Sequence, residues 1–150
     1  MNSKAEKSKK LFKEGYNCSQ AVLGALCDEL GMNFETAVKL ASSFGGGMGR
    51  MREVCGAVSG LFMAIGLKYG YASPDNNAEK AEHYKLIRDV AEEFRKRNGS
   101  IICRELLGKQ VGENSHIPTK RTAEFYKKRP CSELVTDAVE IFETLAEKDI

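Results

Sequence analysis

Apolar residues recur along this chain at the three- and four-residue spacing of helices, and no stretch alternates in the manner of a strand. Residues 4–14 predict a charged amphipathic helix with Leu11 and Phe12 at its inner end, closed by Gly15. Asn17, followed three residues later by Gln20, has the pattern of a capping box. It starts a helix over Cys18–Leu30, with Val22, Leu23, Leu26 and Leu30 turned inward and Gly31 as its stop. A short helix over about 34–44 leads to a glycine cluster, Gly45, Gly46, Gly47 and Gly49. From Val54 to Leu67 there is no charged residue, so a helix over about 53–70 is apolar all round and is expected to be the buried centre of the fold. Gly56, Ala57, Ser59, Gly60 and Ala64 leave one side of it open to the close approach of another backbone or a ligand.

Tyr71 to Asn77 predicts a loop, in which Asp75 or Asn76 caps a long helix to Arg97. Its inward stripe is Ala81, Tyr84, Ile87, Ala91 and Phe94, and Asn98-Gly99 ends it. Ser100 is placed to cap a short helix, Ile101–Leu107. Residues 108–129 read as a long basic loop carrying Lys120, Arg121, Lys127, Lys128 and Arg129, with one turn of helix near Thr122–Tyr126. Pro130 opens a last helix to Ala146, whose inner face is Leu134, Val135, Ala138, Ile141, Phe142 and Leu145. The expected fold is all-α: a single-domain bundle of about six to seven helices, spanning residues 1–150.

Composition narrows the function classes. The 150 residues are 29% charged and 42% apolar, an ordinary globular balance, and the net charge of +2 argues against nucleic acid or an anionic membrane as partner. The N-terminal lysines precede no apolar run of the kind a signal peptide needs, and no stretch is long enough to span a membrane, so a cytoplasmic location is expected. In a reducing compartment, metal binding or redox chemistry is a more common use of cysteine than structural disulfides.

The five cysteines are Cys18, Cys27, Cys55, Cys103 and Cys131. None makes a C-x-x-C pair, so a site built from them must be assembled from distant segments. Four fall in the predicted first turn of a helix: Cys18 after Asn17, Cys55 after the glycines, Cys103 after Ser100 and Cys131 after Pro130. There, free N–H groups and the positive helix end favour a thiolate. Arg50 and Arg52 near Cys55, Arg104 beside Cys103 and Arg129 near Cys131 are expected to add to that effect. Cys27 lies about half a turn round the helix from Cys18, next to Asp28 and Glu29, where a thiolate is disfavoured. The plain alternative is that all five are small buried hydrophobes.

Cys18 in Asn-Cys-Ser-Gln-Ala-Val, the hexapeptide Cys55-Gly-Ala-Val-Ser-Gly60, Cys103 in Ile-Cys-Arg-Glu-Leu-Leu-Gly and Cys131 in Arg-Pro-Cys-Ser together resemble the redox-active proteins named for a C…CGAxxG…C…C pattern. The resemblance runs from about residue 4 to residue 145. It implies a small helical cytoplasmic protein, often encoded near oxidoreductases or transporters, with selenium-containing members, and so redox chemistry at the four patterned cysteines. Cys27 stands outside the pattern.

Three functions follow as expectations. The first is thiol–disulfide exchange or electron transfer, with Cys55 as activated thiolate and Cys18, Cys103 or Cys131 as its resolving partner, acting on a redox partner protein or a small-molecule thiol. A thiol-dependent oxidoreductase is the enzymatic form of this reading. The second is a zinc or iron–sulfur site with Cys18, Cys55, Cys103 and Cys131 as ligands, against which the absence of C-x-x-C counts. The third is a helical adaptor docking through the basic loop. A homodimer stays open. The glycine cluster invites a phosphate-binding reading, but no strand precedes it and no Gly-Lys-Ser/Thr closes it. Its expected use is a tight turn offering N–H groups beside Cys55. His83 and His116 are candidates for a fourth ligand or a proton shuttle, and more simply solvated side chains.

Overall fold

A computed structural model describes residues 3–111 and 115–148. Residues 112–114 of the basic loop and the ends of the expected domain lie outside them. The chain is all-α, with eight regular α-helices among the described residues. These are α1 (Ser3–Lys13), α2 (Cys18–Leu26), α3 (Phe34–Ala41), α4 (Gly56–Tyr69), α5 (Asn77–Asn98), α6 (Cys103–Leu107), α7 (Ala123–Lys128) and α8 (Cys131–Lys148). None is long and apolar enough to cross a membrane.

The helix starts were legible because their caps are local. Asn17 accepts from the Gln20 amide at 2.9 Å and Gln20 returns the bond at 3.0 Å, a complete capping box. Asn33 and Asn76 cap α3 and α5 by accepting from the Thr36 and Glu79 amides, at 2.8 and 3.0 Å. Gly99, at φ 91°, ends α5 in the left-handed conformation. The single helical turn expected near Thr122–Tyr126 is α7, capped by Thr122.

The core gathers around two helices. Every residue of α2 except Gln20 is buried, and α4 is buried from Gly56 through Leu61 and again at Ala64 and Ile65. The two lie in contact because α4 presents glycine where they meet. A Cβ at Gly60 would stand 2.9 Å from the Ser19 carbonyl oxygen and 3.0 Å from Val22 Cβ. Around this pair, α1 buries Ala5, Ser8, Leu11 and Phe12, and α8 buries Leu134, Val135, Ala138, Val139, Ile141 and Phe142. Each large aliphatic side chain so buried contributes about 1.5–3 kcal/mol. Interhelix ion pairs such as Lys9–Glu133 at 3.6 Å are largely exposed and add about 0–1 kcal/mol each.

The expected stripe of α5 requires correction. Only Val90, Ala91 and Phe94 are buried, while Ala81 and Tyr84 are exposed. The first half of this helix runs past the edge of the core, and Tyr84 there bonds Tyr71, oxygen to oxygen at 2.9 Å.

Candidate functional site

The segment from Gly45 to Cys55 sets the site's geometry. Gly46, Gly47 and Gly49 have φ of 65°, 72° and 60°, and Met48, Arg50 and Arg52 share that left-handed region at 68°, 64° and 62°. For a non-glycine residue this costs roughly 1–2 kcal/mol, so the coil is held by other contacts. The Gly49 and Arg50 amides bond the Gly45 carbonyl, Met51 bonds Met48, Arg52 bonds Gly46, and Glu53 bonds Gly47. Those five amides, Gly49 to Glu53, are therefore used within the coil. Gly47 has no freedom to change: besides its positive φ, a Cβ there would meet Cys103 Cβ at 2.7 Å and the Glu53 amide nitrogen at 2.7 Å.

The coil ends in an antiparallel bridge between Val54 and Ile102. The Cys55 amide donates to the Ile101 carbonyl at 2.8 Å and the Cys103 amide to the Glu53 carbonyl at 2.6 Å. Two cysteines that are 48 residues apart thus enter α4 and α6 side by side. The bridge was missed in the sequence; the adjacent β-branched pair Ile101-Ile102 was its only signal. Cys18 joins them because α2 packs on the start of α4, where a Cβ at Gly56 would lie 3.1 Å from Cys18 Cβ. Cys131 opens α8, where the Glu133 and Leu134 amides bond the Pro130 carbonyl at 3.0 and 3.1 Å. The four-cysteine pattern therefore holds to within a residue: Cys18, Cys103 and Cys131 are the first residues of their helices and Cys55 precedes α4 by one.

All four line one cavity of about 270 Å³ and all are free thiols. Cys27 is not among them; it is buried elsewhere, donating to the Gly24 carbonyl at 3.2 Å. Burial and the Asp28 carboxylate raise its pKa. His116 and Arg121 line the cavity as well. His83 does not; its ring packs edge-on to Tyr71 with centroids 5.9 Å apart. Among the described residues, no group of three or more His, Cys, Asp or Glu is placed to hold a metal ion.

The four thiols differ in ionisation. Cys131 stands below the ordinary thiol range. The Cys18 thiol lowers it most, and the Arg129, Arg121 and Arg52 guanidinium charges add to that against the cost of burial. Cys18 is pushed well above the range, first by the Cys131 thiol and then by burial and the neighbouring sulfurs. Cys103 is raised by burial, against the pull of Arg52, whose Nη1 lies 3.8 Å from its sulfur. Cys55 is pushed up to about 12 by burial, which the Ala57 and Val58 amides offset only in part.

Three expectations about cations are thereby corrected. Arg50 and Arg52 do not hold Cys55 ionised. Arg50 bonds the Ser115 carbonyl at 2.8 Å, the Ile117 carbonyl and the Thr119 hydroxyl at 2.9 Å, while Arg52 turns to Cys103. Arg104 turns from Cys103 to the Arg52 carbonyl at 3.0 Å and to Glu53 at 3.3 Å. The basic loop is not wholly an outward-facing surface. Arg121 donates to the Phe12 and Tyr16 carbonyls at 2.8 and 3.0 Å and lies over the Phe12 ring at 4.4 Å, so it roofs the cavity.

Neither a curated protein nor a solved structure is significantly similar to the chain. The family described as "Putative redox-active protein (C_GCAxxG_C_C)" matches residues 16–145. Its name writes the central motif Gly-Cys-Ala-x-x-Gly, whereas the chain reads Cys55-Gly56-Ala57-Val58-Ser59-Gly60, with the cysteine and the first glycine exchanged. The match spans nearly the entire chain and includes all four cysteines of the cavity, and the protein belongs to that family.

Proposed function

We propose that this protein is a cytoplasmic thiol–disulfide redox protein in which Cys131 is the attacking thiolate and Cys18 its resolving thiol. The observation that carries the reading is that Cys18 and Cys131, distant in sequence, line one cavity as free thiols together with Arg52, Arg121 and Arg129, and that Cys131 is lowered while Cys18 is raised. A low-pKa nucleophile beside a protonated second thiol is the arrangement exchange requires.

The Cys131 thiolate attacks one sulfur of a substrate disulfide, forming a mixed disulfide and expelling the other half as a thiolate. Cys18 then attacks Cys131 Sγ, closing the Cys18–Cys131 disulfide and expelling the second half. The Cys18 proton passes to one of the departing thiolates. The substrate gains two electrons and the protein loses two; a dithiol partner reverses the sequence. Cys103, tempered by Arg52, is the next thiol able to exchange, and Cys55 the last.

Counting free thiols by mass spectrometry across a glutathione redox series tests the reading. Loss of two thiols, with a Cys18–Cys131 cross-link in the peptide map, is the expected result. Four patterned thiols that stay reduced throughout would overturn it. Metal analysis of protein purified without oxygen runs beside it, and stoichiometric zinc or iron would favour ligation over exchange.

A further inference from the structure

The cysteine cavity carries one sign of charge. Arg50, Arg52, Arg121 and Arg129 line it, and among the described residues no aspartate or glutamate does. An ionised Cys131 would balance only one of these four cations. Three helices of nine or more residues, α2, α4 and α8, also begin at its wall, adding their positive ends.

Two of the arginines are fully employed in holding backbone carbonyls or hydroxyls, Arg50 on residues 115–119 and Arg121 on Phe12 and Tyr16. The other two are not. Arg52 is 4% exposed, and its Nη2 reaches the Val111 carbonyl at 3.3 Å, yet its buried Nε–H has no partner among the described residues. A buried donor left unpaired costs about 1–3 kcal/mol, and a guanidinium more than a neutral group. The Arg129 guanidinium carbon lies 5.1 Å from the centroid of the Phe125 ring, and its charge acts on Cys131, Cys103 and Cys18. Arg52, Arg129 and Cys131 line the same cavity, so an anion held there by the two cations would share it with that sulfur.

We propose that the cavity admits an anionic small-molecule disulfide bearing a carboxylate on each half, and that Arg52 and Arg129 determine this specificity by holding one carboxylate beside Cys131. The inference rests on the redox reading above and adds the class of substrate. A volume of about 270 Å³ is just under the usual range for small-ligand pockets and suits one half of such a molecule. The exchange is the one already balanced: both halves depart as carboxylate-bearing thiols or thiolates, and the protein keeps the Cys18–Cys131 disulfide.

The test compares three disulfides of similar length and different charge, offered without oxygen to the reduced full-length protein: 3,3′-dithiodipropionate (anionic), bis(2-hydroxyethyl) disulfide (neutral) and cystamine (cationic). Loss of thiols is followed by quenching and mass spectrometry. The anionic compound is expected to react at least about tenfold faster than the neutral one and cystamine slowest, with the gap narrowing as salt is raised. Arg52→Gln and Arg129→Gln each lower the anionic-to-neutral ratio, and Arg129→Lys restores part of it. Because both rates share the Cys131 nucleophile, the ratio is blind to a change in its reactivity. Equal rates for the three in the wild-type protein would overturn this inference and leave the redox reading standing. No thiol loss with any of them would overturn both.

Discussion

Cys131 and Cys55 stand at the starts of two long helices of the cavity wall, α8 and α4, and both are nearly removed from solvent. Each faces backbone N–H groups at a helix start. Their ionisation nonetheless goes in opposite directions, Cys131 below the ordinary thiol range and Cys55 up to about 12. The difference lies in what surrounds the helix start. Cys131 has the Cys18 thiol and three guanidinium charges; Cys55 has the Ala57 and Val58 amides. In a buried setting the helix terminus does not by itself offset desolvation, whereas a second thiol and converging cations do.

The strongest attempt to break this contrast removes each sulfur in turn. Cys131→Ser should slow oxidation by a low-molecular-weight disulfide on the order of a hundredfold or more, since the hydroxyl supplies no comparable anion near neutral pH. Cys18→Ser should leave the first attack intact and accumulate the mixed disulfide on Cys131, seen as an adduct in the intact mass. An adduct that forms instead on Cys55 in both variants would reverse the assignment.

Next in size is Gly47→Ala. The new methyl would enter a left-handed backbone and stand 2.7 Å from both Cys103 Cβ and the Glu53 amide nitrogen. A loss of about 2–4 kcal/mol in denaturant unfolding is expected, from strain and overpacking together. Gly15→Ala is the control, at φ 109° but with nothing within 4 Å of the added carbon, so only the strain remains. Equal losses at the two sites would remove the argument that the coil is pressed against Cys103.

These two experiments touch features of unequal legibility. The helices and their caps could be read in advance, because Asn17, Asn76 and Gly99 act on neighbours within a few residues. That four cysteines share a position was visible for the same reason. Which thiol is ionised was not. Arg52 and Arg121 reach the Cys131 neighbourhood from 79 and 10 residues away in sequence, and Arg50, adjacent to the same coil, turns to the loop instead. Proximity in sequence assigned the cations to Cys55, and the positive φ angles at Arg50 and Arg52, with the Val54–Ile102 bridge, reassign them.

A smaller effect follows from the cations. Arg129→Gln removes the largest of the charges that lower the Cys131 pKa. The exchange rate should rise with pH as the thiolate forms, with its inflection below that of an ordinary thiol. In the variant the inflection moves to higher pH, and the rate near pH 7 falls about tenfold. Wild-type and variant profiles that superimpose would exclude Arg129 and leave the Cys18 thiol, Arg121 and Arg52 as the causes.

The smallest kinetic change is expected at Cys55, and it comes with a separable stability effect. Cys55→Ala should alter the oxidation rate by less than about threefold, because a thiol that stays protonated contributes little nucleophile. Its folded pKa of about 12 lies above the value of about 8.5 expected in the unfolded chain. Folding stability from this group is therefore full below about pH 8.5 and is lost as the pH rises toward 12, since the unfolded chain releases the proton first. Cys18 and Cys103, also raised, act in the same sense, and Cys131, depressed, acts in the opposite one. Urea unfolding at pH 8 and pH 10 should accordingly show a smaller drop in stability for Cys55→Ala than for the wild type. An unchanged drop would mean that Cys55 ionises as an ordinary thiol, and the contrast between the two helix starts would have to be sought in geometry alone.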